Sequence, residues 1–152
     1  MNITLKSPSE IEKMRIAGAA TARVLEMIGP YVVPGVTTEE LDNIMNDYIV
    51  NVEKAKSADL GYQGYPKATC ISINEVVCHG IPGPHKLKEG DIVNIDVTVL
   101  KDKFHGDSSK MYIVGNHTSP RNELLCRCAQ ESMYEAIKTV RPGSNLADIG
   151  DA

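Results

Sequence analysis

An alternating segment between Asp91 and Leu100 constrains the fold of this chain more than any other feature. Every second position is apolar, and the intervening positions are mostly polar: Val93, Ile95, Val97 and Val99 against Ile92, Asn94, Asp96 and Thr98. Successive side chains of a strand point to opposite faces, so this period predicts a strand with one buried face. A polar turn at 101–103 and a further segment at 104–114 predict an antiparallel hairpin.

Helices are predicted on both sides of this hairpin. Capping boxes open two of them, at Ser7 and at Thr37. The helical segments cover about 8–28, 38–53, 119–140 and 145–150, and short strands are expected near 69–73 and 76–79. Helices around an antiparallel sheet predict an α+β fold with the helices packed on one face.

The length of 152 residues predicts one domain over 1–152. The net charge of −4 is spread along the chain, which argues against a nucleic-acid partner, and no apolar run approaches the roughly 20 residues of a membrane span. Without a secretory signal, the expected location is the cytoplasm, where the four cysteines would be reduced. The helical pattern at 145–150 has no continuation, and we expect a chain cut inside a larger fold.

Two aspartates, Asp96 and Asp107, lie on the two strands of the predicted hairpin. A two-residue loop at Lys101-Asp102 would place them directly opposite each other, with Cβ atoms about 4.5–5.5 Å apart. Ionised carboxylates that close repel each other, so they share a proton, gain basic partners or bind a divalent cation. With a three-residue loop they would be unrelated, solvated aspartates, and the spacing leaves both alternatives open.

His79 ends another predicted strand. A lone histidine in such a place is more often a hydrogen-bonded structural residue than a ligand. Taken with Asp96 and Asp107, it makes a candidate hydrolytic metal site.

Four motifs in order resemble those of bacterial type I methionine aminopeptidases, and the resemblance extends over essentially the whole chain. They are Ala58 to Lys67, Cys70 to Pro82, Gly90 to Val97 and His105 to Lys110. The resemblance implies the first half of the pita-bread fold, in which two α+β halves related by pseudo-symmetry hold the metals between them. It also implies a metal-dependent hydrolase that removes the initiator methionine from the amino terminus of a nascent chain.

The same resemblance implies roles for individual residues. Asp96 and Asp107 look like two metal ligands, with Asp107 bridging, for the Co, Mn, Fe or Zn ions that the family uses. His79 looks like the catalytic histidine that contacts the substrate near the scissile peptide bond. Tyr62, Tyr65 and Cys70 would line the pocket for the methionine side chain, and a thiol and aromatic rings suit a thioether.

The chain departs from the family in its ligands and in its substrate loop. The family's remaining ligands, one histidine and two glutamates, have no counterpart among these residues, nor has its catalytic glutamate. Two carboxylates alone are fewer than a hydrolytic site needs, so we expect weak or no metal binding and no activity from the chain alone. Asp59 stands where a cysteine is common and Gln63 where a histidine is usual; an inward carboxylate would disfavour an apolar side chain.

Three hypotheses follow. The chain is the amino-terminal half of such an enzyme, with the second half absent and an exposed apolar face that favours self-association. Alternatively, it is a non-catalytic binding protein that reuses the half-fold. As a third possibility, a homodimer brings two sets of aspartates and histidines together and retains some aminopeptidase activity.

Overall fold

The computed structural model of the chain describes residues 3–152 and contains two compact units, which meet in sequence between His117 and Thr118. The prediction of one domain over 1–152 stays a prediction. None of the helices within the described residues is both long enough and apolar enough to span a bilayer.

The first unit holds two helices and a four-stranded sheet. Its elements are α1 (Pro8–Ile28), α2 (Thr38–Asp47), β1 (Lys56–Ser57), β2 (Cys70–Ile73), β3 (Ile92–Lys101) and β4 (Phe104–Ile113), and a π-helical turn (Tyr48–Val52) follows α2. Both predicted capping boxes are present: the Ser7 and Thr37 hydroxyls accept from backbone amides, and the glutamates three residues later bond back. The α+β prediction is confirmed.

The sheet is antiparallel and centred on β3. On one side, β3 pairs with β1 near Leu100 and with β2 between Val93 and Asp96. On its other side, it pairs along its whole length with β4. Between β1 and β2 the chain leaves the sheet at Ala58 and returns at Cys70, and this excursion forms one wall of the cleft described below.

The alternation in β3 separates the core from the functional face. The four apolar side chains predicted to face inward are fully buried, whereas Asn94, Asp96 and Thr98 are half-buried on the other face. The core beneath β3 is completed by apolar side chains of α1 and α2, including Val24, Ile28, Leu41 and Met45. The helices therefore cover one face of the sheet and leave the other face for the polar residues.

The predicted strand at 76–79 is absent, and the segment is irregular. Asn74 turns the chain with a positive φ of 51°, and His79 has a φ of 54°. The segment reaches β2 through Gly80, whose carbonyl accepts from the Ile71 amide at 2.8 Å. Isolated contacts of this kind do not make a ladder, so the apolar Val76 and Val77 do not form a strand.

The second unit contains α3 (Pro120–Thr139) and α4 (Ala147–Asp151). The Ser119 hydroxyl caps α3 by accepting from the Asn122 amide at 3.2 Å. The predicted capping of the last helix by Ser144 or Asn145 is wrong, because α4 begins after Leu146 without a side-chain cap. The Ser144 hydroxyl instead donates to the Thr139 carbonyl at 2.7 Å.

Candidate active-site cleft

The site residues singled out in the sequence line one cleft of about 540 Å³ in the first unit. They come from four places: β3 and β4, the excursion between β1 and β2, the first residue of β2, and the irregular segment after β2. The six residues are Tyr62, Tyr65, Cys70, His79, Asp96 and Asp107, and Asp59, Gln63 and Thr98 line the same cleft.

Asp96 and Asp107 lie diagonally across the hairpin rather than directly opposite each other. Asp96 pairs with Ser109 and Asp107 pairs with Thr98, so the directly opposed arrangement, one of the two alternatives that the spacing left open, does not occur. The two aspartates still share the face away from the core, because the register differs from that of direct pairing by an even number of residues. Diagonal neighbours of this kind are about 7–8 Å apart at their Cα atoms.

The turn explains this register. Its two residues are Asp102 and Lys103, one position later than the Lys101-Asp102 loop that direct pairing would need, and Lys101 pairs with Phe104. Both turn residues have positive φ values, 50° and 70°. Positive φ at both positions is typical of the type I′ two-residue hairpin turn, whose backbone twist matches the right-handed twist of the flanking strands. Aspartate tolerates this conformation better than most residues, which favours Asp102 over Lys101 at the first turn position.

The two carboxylates oppose each other electrostatically. Burial raises the pKa of Asp96 above its usual range, the Asp107 charge raises it further, and nearby His79 acts in the opposite direction. A divalent cation between them would relieve this repulsion, and carboxylate oxygens are ligands that hard divalent ions accept. Among residues 3–152, however, no cluster of three or more histidine, cysteine or acidic side chains is arranged to hold a metal. The donors present therefore fit a metal in kind but supply only part of a ligand set.

Asp42 on α2 anchors the wall that carries the tyrosines. Its buried carboxylate accepts from the Ala68 amide at 3.1 Å, from the Thr69 amide at 2.9 Å and from the Thr69 hydroxyl at 2.8 Å. Burial raises the pKa of Asp42 despite these hydrogen bonds. Sequence reasoning missed this residue, since its partners lie more than twenty positions away and no local pattern indicates them.

Tyr65 and Cys70 form the more buried part of this wall. The Tyr65 hydroxyl lies 3.1 Å from the Thr69 carbonyl and 3.1 Å from the Gly80 carbonyl. Burial is the main cause that raises the pKa values of Tyr65 and Cys70, so both side chains are neutral near pH 7. Tyr62, in contrast, is an exposed residue at the rim.

Asp59 turns into the cleft rather than away from it. Burial is the main cause that raises the pKa of this carboxyl group; hydrogen bonding to Thr98 lowers it, and the charges of Asp96 and Asp107 raise it further. The cleft therefore carries a third carboxylate besides the hairpin pair, and it lies on the wall with the tyrosines.

The model of metallopeptidase family M24 matches residues 12–152. Methionine aminopeptidase of Escherichia coli strain K12 is 65% identical over 153 aligned positions, which cover 100% of this chain and 58% of that protein. The protein of the same name from Haemophilus influenzae is 56% identical, with 100% and 57% covered.

Solved structures of methionine aminopeptidases match the fold of this chain. The crystal structure of methionine aminopeptidase from Rickettsia prowazekii matches with a TM-score of 0.95 at 44% identity, covering 98% of this chain and 59% of that one. The Thermotoga maritima structure matches with a TM-score of 0.92 at 42% identity, covering 97% and 59%. The chain thus spans a little under three fifths of the length of the relatives it matches, and its fold is that of the first half of the pita-bread arrangement.

Proposed function

The chain belongs to metallopeptidase family M24, and on that premise we propose that its cleft receives the amino-terminal methionine of a peptide in metal-dependent aminopeptidase chemistry. One observation carries the proposal. Residues from all four motifs, about fifty positions apart at the extremes, line one cleft on the polar face of the sheet. Proteins named methionine aminopeptidase, at up to 65% identity over the whole chain, support the same substrate class.

In this proposal the hairpin holds the metal and the opposite wall holds the substrate. Asp96 and Asp107 are the metal ligands of this chain, and a bound divalent ion of the Co, Mn, Fe or Zn type would polarise the scissile carbonyl and activate water. His79 contacts the peptide near the scissile bond. Tyr62, Tyr65 and Cys70 surround the methionine side chain, and the neutral Cys70 thiol behaves there as a small apolar group.

We further propose that the 152-residue chain by itself hydrolyses no peptide at a measurable rate. A catalytic metal site offers three or more protein ligands, whereas the hairpin offers two carboxylates, and no group of three histidine, cysteine or acidic side chains within residues 3–152 is arranged around a common metal position. The expected affinity for a divalent ion is correspondingly weak.

Mn²⁺ titration of the ¹⁵N-labelled chain tests the metal site directly. Paramagnetic broadening is expected first at the amides around Asp96 and Asp107, and Asp107→Asn should abolish it there. The matched control is Asp102→Asn, which removes a carboxylate from the turn of the same hairpin and should leave the broadening unchanged. Broadening that persists unchanged in Asp107→Asn would contradict the assignment of the ligands.

Hydrolysis of the peptide Met-Ala-Ser, with added Mn²⁺ or Co²⁺ over a hundredfold range of protein concentration, tests the activity. No turnover above that of Asp107→Asn is expected. Turnover that Asp107→Asn abolishes would overturn the proposed inactivity, and a dependence on protein concentration steeper than linear would identify a homodimer as the active species. Binding of methioninamide without turnover would fit both an inactive half-enzyme and a non-catalytic binding protein. Methioninamide binding and Met-Ala-Ser hydrolysis are therefore measured on the same protein.

A further inference from the structure

His79 has an uncommon backbone conformation. Its φ of 54° lies in the left-handed region, where side chains other than glycine are uncommon, and the residue is exposed in an irregular segment. Such a conformation persists only where the surrounding structure holds it. The contacts that hold His79 therefore decide where its imidazole lies in the cleft.

Gly80 is the residue through which the segment is held. Its amide donates to the Ser72 hydroxyl at 3.1 Å, and its carbonyl accepts from the Ile71 amide at 2.8 Å. A Cβ atom at this position would lie 2.2 Å from the Ile71 carbonyl oxygen, so only glycine allows the backbone to lie this close to β2.

The Tyr65 hydroxyl contacts the same Gly80 carbonyl. It lies 3.1 Å from that oxygen and 3.1 Å from the Thr69 carbonyl, so one phenolic proton is shared between two acceptors. Thr69 is itself held by the buried Asp42 through its amide and its hydroxyl. The chain of contacts thus joins α2, the tyrosine wall and the turn at His79 and Gly80.

We propose that Tyr65 is a positioning residue for His79, because its hydroxyl fixes the turn at His79 and Gly80 against β2. The ring of Tyr65 lines the cleft at the same time. The structural part of this inference stands on the hydrogen bonds alone. Its functional consequence, correct placement of the His79 imidazole toward a substrate, rests on the proposed function.

The test uses Tyr65→Phe, which keeps the ring and removes only the hydroxyl group. Amide hydrogen exchange in the ¹⁵N-labelled chain is expected to accelerate at least about tenfold at Gly80 and Ile71, and the His79 imidazole resonance should shift. Tyr62→Phe is the matched control, because, within residues 3–152, the Tyr62 hydroxyl has a hydrogen bond only with the exposed Gln63 amide group, at 3.2 Å. Amides in the pairing of β3 with β4 serve as an internal reference that neither variant should alter.

Binding of methioninamide, measured by titration, separates positioning from direct contact. If Tyr65 acts through His79, Tyr65→Phe weakens binding several-fold, and adding it to His79→Ala weakens binding no further. Additive effects of the two substitutions, or unchanged exchange at Gly80 and Ile71, would overturn the proposal. Failure of the parent chain to bind methioninamide would count against the proposed function alone, since the exchange measurement still decides whether the hydroxyl holds the turn.

Discussion

A carboxylate at position 59 changes what the cleft can hold. Asp59 shares its wall with Tyr65 and Cys70, which are neutral, and an apolar side chain placed there would desolvate the carboxylate without compensating it. The replacement of the family's common cysteine by Asp59 therefore changes the inside of the cleft and not its outer surface.

We expect Asp59→Asn to strengthen methioninamide binding by roughly threefold to tenfold, which corresponds to about 1 kcal/mol of relieved desolvation. The amide keeps the size of the side chain and its ability to bond to Thr98. Titration of both proteins with methioninamide measures the effect, with Asp102→Asn as a charge-matched control in the hairpin turn. Equal or weaker binding by Asp59→Asn would show that the carboxylate is compatible with an apolar ligand.

Glu53 is a buried carboxylate whose charge is compensated. It is 5% exposed, and Arg23 donates two hydrogen bonds of 2.7 Å to its two oxygens. These bonds hold the pKa of Glu53 below its usual range, against the opposing effect of burial. Because the unfolded state then binds the proton more readily, the stabilisation is present above the ordinary carboxyl pKa and is lost as the pH falls through the lowered value.

We therefore expect Glu53→Gln to lower the free energy of unfolding by about 1–3 kcal/mol at pH 7, with a smaller loss below about pH 4. Urea denaturation followed by circular dichroism between pH 3 and pH 7 measures this difference. Glu12→Gln, which alters an exposed ion pair with Arg15 at 3.7 Å, should change stability by less than about 0.5 kcal/mol. A constant difference across the pH range would contradict the linkage.

At the scale of elements, α1 and the hairpin meet at a backbone contact that requires glycine. A Cβ atom on Gly106 would lie 2.3 Å from the Ala17 carbonyl oxygen, and the Thr21 hydroxyl donates to the Gly106 carbonyl at 2.7 Å. Gly106 directly precedes Asp107, so the docking of the helix also places one of the proposed metal ligands.

Gly106→Ala is expected to destabilise the fold by about 1–3 kcal/mol, because α1 has to shift away from β4. Gly18→Ala is the matched control: it lies on the same helix with nothing within 4 Å of the added methyl group, and it should stabilise the chain by up to about 1 kcal/mol. Urea unfolding of the two variants compares the effects. Equal stability changes in both would show that the helix moves freely over the hairpin.

At the scale of the whole molecule, local patterns predicted the elements, and distant contacts decided the rest. The capping boxes at Ser7 and Thr37 and the alternation in β3 act within a few residues, so the sequence indicates them directly. The conformation of His79 depends on β2, and the role of Asp42 depends on Thr69, 27 positions away. No periodicity carries that information. The spacing of the aspartates alone left their pairing open, and only the resemblance to a family indicated that the two tyrosines and Cys70 would share a cleft with them.

The remaining expectation for the whole molecule is self-association. Helix α3 carries an apolar stripe at successive turns, in which Leu125, Met133 and Ile137 are 57%, 49% and 56% exposed. Exposed stripes of this kind in a chain otherwise rich in charge favour association, because pairing removes apolar area from water. Sedimentation velocity in the presence of a reductant is expected to show oligomers that grow with concentration.

A double substitution, Leu125→Lys with Ile137→Lys, should shift this distribution toward the monomer, whereas Glu131→Lys, elsewhere on the same helix, should not. A parent chain that stays monomeric at high concentration would refute the expectation. The same proteins also bear on the homodimer hypothesis. If association creates the active species, any turnover of Met-Ala-Ser has to disappear in the double variant together with the oligomer. Mn²⁺ broadening around Asp96 and Asp107 should persist in the monomer, because both ligands lie on one hairpin.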